Sequence, residues 1–169
     1  MEALEVILSR RSVRQYTQKG VPEEILRKLL EAAMSAPSAG NGQPWHFVVI
    51  REHAILDEIP EFHPYSTMIR EASMGILVCG DLTLENRGFW VQDCSAATEN
   101  LLLAAHATGL GAVWLGVYPL EERVQGFRRL LGLPKEIMPF ALISIGYPAG
   151  ETSLPVKRYD PLKVHSNRW

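Results

Sequence analysis

Four short runs of apolar residues constrain this chain most. They are Phe47-Val48-Val49-Ile50, Gly75-Ile76-Leu77-Val78-Cys79-Gly80-Asp81, Ala112-Val113-Trp114-Leu115-Gly116-Val117 and Phe140-Ala141-Leu142-Ile143-Ser144-Ile145-Gly146. Each has the length of a strand. A strand with one wet face alternates polar and apolar residues, but the run at 75–81 is flatly apolar up to its closing Asp81, so both of its faces need cover. The cover has to come from the stretches between the runs. Their alternation with helical segments indicates an α+β or α/β protein whose sheet is covered by helices.

The intervening stretches read as helices for local reasons. Residues 2–9 carry Leu4, Ile7 and Leu8 on one face. Pro22 suits a first helical turn, and Glu23 and Glu24 suit the positive end of the helix dipole. Ile25, Leu26, Leu29, Leu30 and Ala33 then form a stripe, and Pro37 ends that helix near Ala36. Residues 53–72 hold one or two short helices broken at Pro60 and Pro64. Residues 90–108 give the longest helical signal, with small residues on one side and Leu102 and Leu103 extending the apolar surface. A further amphipathic helix covers roughly 119–131 and stops at Leu133-Pro134. From Tyr147 onward the chain is rich in proline and charge, with Val156, Tyr159 and Leu162 spaced along it. Such a tail has little to bury by itself and is expected to lie across another surface.

Bulk properties exclude several function classes. The 169 residues are most simply one domain. A net charge of −2 argues against nucleic acid or an anionic membrane as partner. No apolar run reaches the length of a membrane span, and Glu2 and Glu5 interrupt the first apolar segment, which argues against a secretory signal. Cys79 and Cys94 form no C-x-x-C pair and read as buried free thiols, compatible with the cytoplasm. The histidines at 46, 53, 63, 106 and 165 show no metal-ligand spacing, so no metal site is expected.

One basic cluster stands out against this background. Ser9-Arg10-Arg11-Ser12-Val13-Arg14 places three guanidiniums and two hydroxyls within six residues. Guanidinium forks and hydroxyls suit a dianionic phosphate. By itself such a run also suits a solvated turn at a helix end. The loop Pro37-Ser38-Ala39-Gly40-Asn41-Gly42-Gln43-Pro44 adds exposed backbone groups and two amides, which can hold a planar heterocycle or simply connect helix to strand.

Together with Trp45-His46-Phe47, these two stretches resemble the nitroreductase family of FMN-dependent oxidoreductases. Further stretches look like it in the same order: Val78-Cys79-Gly80-Asp81, Asn100 to Ala105, Gly109-Leu110-Gly111 with Trp114-Leu115-Gly116, and Ile145-Gly146-Tyr147-Pro148. The resemblance spans essentially the whole chain. It implies a three-layer α+β fold with a mainly antiparallel central sheet covered by helices. It also implies an intertwined homodimer with FMN at the interface, residues 1–169 as one domain, and about 147–169 as an extension wrapping the partner.

The resemblance also implies roles. Arg10 and Ser12 hold the FMN phosphate, with Arg11 contributing side chain or backbone. Arg14 reaches the pyrimidine edge of the flavin ring, and positive charge there favours the reduced, negative state. Pro37, Ser38 and Ala39 pack on the ring from the other chain, with Asn41 and Gln43 beside them. Leu115 and Gly116 face flavin N5, and Lys157 and Arg158 return to the phosphate. NADH or NADPH donates hydride, and a nitroaromatic, quinone or similar acceptor takes it in ping-pong order. No side chain is catalytic in this scheme. Tyr65, Phe89 and Trp90 are candidates for lining the acceptor pocket or for ordinary packing. Larger members read the ring with an additional asparagine and lysine that are absent here; residues 60–72 offer His63, Tyr65, Ser66 and Arg70 instead. The alternatives are a flavin-binding homodimer with a storage, sensing or structural role, or a family variant acting in reductive dehalogenation or flavin cleavage.

Overall fold

The computed structural model describes residues 2–150 and 157–169. Five α-helices and four strands alternate along these residues. They are α1 (Ala3–Ser9), α2 (Glu23–Met34), β1 (Trp45–Ile50), α3 (His53–Glu58), β2 (Met74–Asp81), α4 (Trp90–Ala107), β3 (Gly111–Gly116), α5 (Glu121–Leu131) and β4 (Ile137–Gly146). The strands form one sheet in the order β1-β2-β4-β3, and every pairing is antiparallel. The fold is α+β.

The flatly apolar strands sort their side chains by the two-residue period. Met74, Ile76 and Val78 of β2, with Ala141, Ile143 and Ile145 of β4, point into a core shared with Leu26, Leu29, Leu101 and Ala105 of α2 and α4. Leu77, Cys79, Val113, Leu115 and Leu142 point into a second core with Leu56, Val124 and Phe127 of α3 and α5. This gives three layers, with the sheet in the middle. Full burial of a Leu, Ile or Val is worth about 1.5–3 kcal/mol, so β2 and β4 anchor both cores. Cys79 and Cys94 are buried free thiols, each pushed up to about 12 by burial above all.

Three boundaries differ from the sequence reading. β4 begins at Ile137 rather than Phe140, although Pro139 interrupts the apolar pattern. Pro139 pairs with Cys79 beside a register irregularity in which β4 carries Phe140 as an extra residue, a position where a strand tolerates the missing N–H. α5 ends at Leu131 as the pattern predicts but begins at Glu121 rather than near 119, and its stop is Gly132, whose φ of 62° is left-handed, rather than Leu133-Pro134. Pro60 lies inside a three-ten turn at Ile59–Glu61 rather than at a break, and a second such turn occupies Thr67–Glu71. α1 buries Val6, while Leu4, Ile7 and Leu8 face outward at 72%, 53% and 69% exposure. Along the tail, Tyr159, Leu162, Val164 and Trp169 are also exposed; Val156 lies outside the described residues.

Candidate functional site

Residues 10–16 run beside β3 and are fixed by backbone contacts. Ser12 bridges Ala112, and the Val13 N–H donates to Ala112 O at 3.0 Å. Tyr16 is buried and donates its hydroxyl to Val13 O at 2.7 Å. Burial pushes the Tyr16 hydroxyl up to about 12, which keeps the donated proton in place. The close approach depends on Gly111: a Cβ there would stand 2.6 Å from Val13 Cβ. The segment therefore has a set position, and its arginines reach two cavities.

The first cavity measures about 590 Å³ and is lined by Ile7, Leu8, Arg10, Arg11, Lys157, Arg158 and Tyr159. Four cationic side chains and no carboxylate form this lining. The two basic pairs come from the ends of the chain, almost 150 residues apart in sequence. Behind them Arg10 Nε lies 3.6 Å from Glu99 Oε1, and Arg11 Nη1 donates to Arg10 O at 2.9 Å. Ser9 Oγ lies 2.7 Å from His106 Nε2. Burial first, and then Arg10 and Arg11, hold His106 below the usual histidine value, so at neutral pH it adds no charge. The arrangement suits a phosphate-like dianion.

The second cavity, of about 530 Å³, lies where β3 ends, and Arg14, His63, Tyr65, Trp114, Leu115, Gly116 and Arg123 contribute to its lining. The Gly116 carbonyl sits between two donors. His63 Nε2 is 2.9 Å away, and Arg123 Nη1 donates to it at 2.7 Å. His63 is buried, and burial followed by the Arg123 charge holds its pKa below the ordinary value. A neutral ring with the proton on Nε2 satisfies the Gly116 carbonyl, and Nδ1 is left buried with no partner. The Arg123 guanidinium lies 5.5 Å from the centre of the Tyr65 ring. A Cβ built on Gly116 meets no atom within 4 Å, so the backbone here is open to close approach.

The loop at 37–43 joins neither cavity within one chain. Gly40, Asn41 and Gln43 all have positive φ, near 57°, 56° and 48°. Side chains hold that shape: the Gln43 N–H donates to Ser38 Oγ at 3.0 Å, and Gln43 Nε2 donates to Asn41 Oδ1 at 3.0 Å. The Ala39 N–H donates to Asp93 Oδ1 at 2.9 Å, tying the loop to the start of α4. Glu99 and His106, which touch Arg10 and Ser9, lie six and thirteen residues further along that helix. That is about 9–20 Å of axial rise and about 120–140° around the helix. Pro37 is exposed on this loop.

Of the three aromatic candidates, Tyr65 lines the second cavity and is 71% exposed. Phe89 is exposed at the start of α4. Trp90 belongs to the core instead: it packs edge-on against Tyr118 and Phe140 and lies against Gly80, so its ring is committed to packing. Arg123 escapes a sequence reading because a lone arginine on the polar side of an amphipathic helix looks like any solvated cation. The unusual backbone-acceptor role of Gly116 is likewise invisible before the fold brings His63 and Arg123 to it.

The sequence model of the nitroreductase family matches residues 7–78 and 63–147. The chain belongs to the nitroreductase family. A family relative from Methanothermobacter thermautotrophicus, provisionally named NADH dehydrogenase/NAD(P)H nitroreductase, is 52% identical over 170 residues, spanning 100% of this chain and 88% of that protein. A crystal structure from Bacteroides thetaiotaomicron with the same provisional name has a TM-score of 0.95 and 44% identity, covering 99% of this chain and 98% of that one. A provisionally named nitroreductase from Desulfovibrio desulfuricans, solved in complex with FMN, has a TM-score of 0.84 and 34% identity over 99% of this chain and 98% of that one. Among the described residues, no helix is long and apolar enough to cross a membrane.

Proposed function

We propose that the chain is an FMN-dependent oxidoreductase. It takes hydride from NADH or NADPH and reduces a nitroaromatic, quinone or similar small acceptor in ping-pong order, as a cytoplasmic homodimer. One observation carries this reading: residues 10–14 link a cavity walled by four cations to a cavity at the open Gly116 backbone. Four residues of extended chain span about 13–14 Å, a separation on the scale of a mononucleotide.

The residues present fit FMN. Arg10, Arg11, Ser12, Lys157 and Arg158 form a donor set for a dianionic phosphate. Arg14 sets a fixed positive charge at the ring's pyrimidine edge. Leu115 and Gly116 bring backbone toward N5, and the missing Cβ at Gly116 leaves room for a planar ring. When bound, FMN supplies the hydride chemistry that no side chain here offers. His63 and Arg123 hold the Gly116 carbonyl, which fixes that backbone before any ligand arrives.

A second copy completes the site. Pro37, Ser38, Ala39, Asn41 and Gln43 come to the ring from the partner, since within one chain they lie on another side of α4. The outward Leu4, Ile7 and Leu8 of α1 and the exposed Tyr159, Leu162 and Trp169 of the tail supply the apolar surface that such a dimer buries. An apolar groove of about 480 Å³ between α1, α2 and α4, floored by Val6, Leu103 and Ala104, adds to it.

The test is anaerobic spectroscopy of the purified protein. The expected result is a flavin absorbance that bleaches on adding NADH or NADPH and returns with a nitroaromatic or quinone. Colourless protein that takes up no added FMN would remove the flavin reading. Coloured protein that neither nucleotide bleaches would remove the assigned donor.

A further inference from the structure

Arg123 does more than its hydrogen bond requires. Its Nη1 donates to Gly116 O at 2.7 Å, but His63 already serves that carbonyl at 2.9 Å. A neutral amide would complete the pair. A guanidinium instead brings a full charge and five N–H donors, of which this contact uses one. The charge is left uncompensated: among the described residues neither Arg123 nor Arg14 forms an ion pair, and the cavity they share has no carboxylate in its lining. The Tyr65 ring stands 5.5 Å away and is largely exposed, offering an aromatic wall next to that charge.

We propose that Arg123 makes this cavity selective for a planar aromatic acceptor bearing an anionic group, such as an aromatic carboxylate. The inference rests on the functional reading above, in which Arg14 serves the flavin ring and the same cavity admits the acceptor. Arg123 is the cation left over. Its tie to Gly116 and its place beside Tyr65 orient the fork in advance, so little side-chain freedom is lost when a carboxylate takes two of the remaining N–H groups. Arg14 in the same cavity adds to the positive potential felt by that anion. The partner is a group on the reacting ring itself. Arg123 is bonded to Gly116, the residue assigned to the reacting atom, whereas the phosphates of a nicotinamide donor are separated from its reacting ring by a sugar.

The experiment uses the FMN-loaded dimer and two matched acceptors, 4-nitrobenzoate and the uncharged 4-nitrobenzamide. The readout is the ratio of their kcat/KM values, with NADH saturating, in the wild type, Arg123→Gln and Arg123→Lys. Calorimetric binding of the unreactive pair benzoate and benzamide gives a second readout that does not depend on turnover. The wild type is expected to favour the carboxylates by about 10–100-fold, the value of a charge-assisted contact. Arg123→Gln is expected to bring both ratios close to one, acting mainly through KM, and Arg123→Lys to restore them in part. Equal handling of the two acceptors by the wild type, or ratios that Arg123→Gln leaves unmoved, would overturn the inference while leaving the flavin reading intact. A raised KM for NADH with unmoved acceptor ratios would assign Arg123 to the donor and overturn it as well. Protein that binds no FMN would remove the functional reading and this inference with it.

Discussion

The cavity at Arg10 and the cavity at Arg14 are separated by four residues of chain, yet they are assembled differently. The first is made of long cationic side chains from the two ends of the chain, backed by a partly exposed ion pair from Arg10 to Glu99. The second is built on the end of a central-layer strand, where a backbone carbonyl is held by a buried histidine and an arginine. Charge dominates the first and backbone position dominates the second. A phosphate tolerates small displacements of its cations, because guanidinium side chains can follow it. A reacting ring does not, because misplacement by about 1 Å can cost about 100-fold in rate. The contrast matches the roles assigned to them: grip at one end and alignment at the other.

The comparison breaks most visibly at Gly116. Its Cβ position is open and its φ is not left-handed, so Gly116→Val should fold normally, with a change in Tm of about 2 °C or less. The added side chain enters the cavity, and turnover should fall by about 100-fold or more. Thermal melts and steady-state rates on the same preparation check both halves. At the other cavity, Arg10→Ala should weaken FMN binding by about 10–100-fold. Its ion pair with Glu99 at 3.6 Å is partly exposed, so the loss of stability should stay within about 1 kcal/mol. Cofactor titration after FMN removal, alongside urea denaturation of the cofactor-free protein, separates the two effects.

Gly111→Ala probes what the cavities share. The new Cβ would press on Val13, and overpacking of this kind costs about 1–3 kcal/mol. Because residues 10–14 serve both cavities, FMN affinity and turnover should fall together in this variant. A loss of stability with both properties unchanged would show that the two regions do not depend on their common segment.

The smallest effect concerns pH. His63 and His106 are both held below their ordinary value of 6.5. The unfolded chain therefore binds protons at a pH where the folded chain does not. Their contribution to stability is present above 6.5 and is lost as pH falls through the lowered folded values. Tm should decline on acidification below 6.5, and less steeply in His63→Asn, which removes the buried titrating ring beside Arg123. Melting curves at a series of pH values test the sign.

The fold was largely legible because the strands are flatly apolar and the helices carry stripes. β2 and β4 had to lie between two layers. The start of β4 was hidden because Pro139 reads as a breaker unless the strand is irregular beside it, and the extra residue at Phe140 shows only once Val78 and Cys79 are paired with β4. The outward face of α1 was hidden because an apolar stripe does not say whether it meets its own core or another surface. At the site, Arg10, Arg11 and Arg14 were conspicuous because three guanidiniums fall close together in sequence. Their meeting with Lys157 and Arg158 came only through the family resemblance, since nothing local links the two ends of the chain. Trp90 could be read as pocket wall or as ordinary packing, because a large aromatic suits both, and only the fold shows that Gly80 makes the space that takes it into the core. Arg123 carried no signal at all, because its significance is a contact with a carbonyl seven residues back in the chain.

The division between grip and alignment is tested most directly by titrating the cofactor-free protein with FMN and with riboflavin, which has the same ring and no phosphate. If the Arg10 cavity holds the phosphate, FMN should bind about 100-fold more tightly or better, because several charge-assisted bonds are lost with riboflavin. Equal affinity for the two flavins would contradict the account.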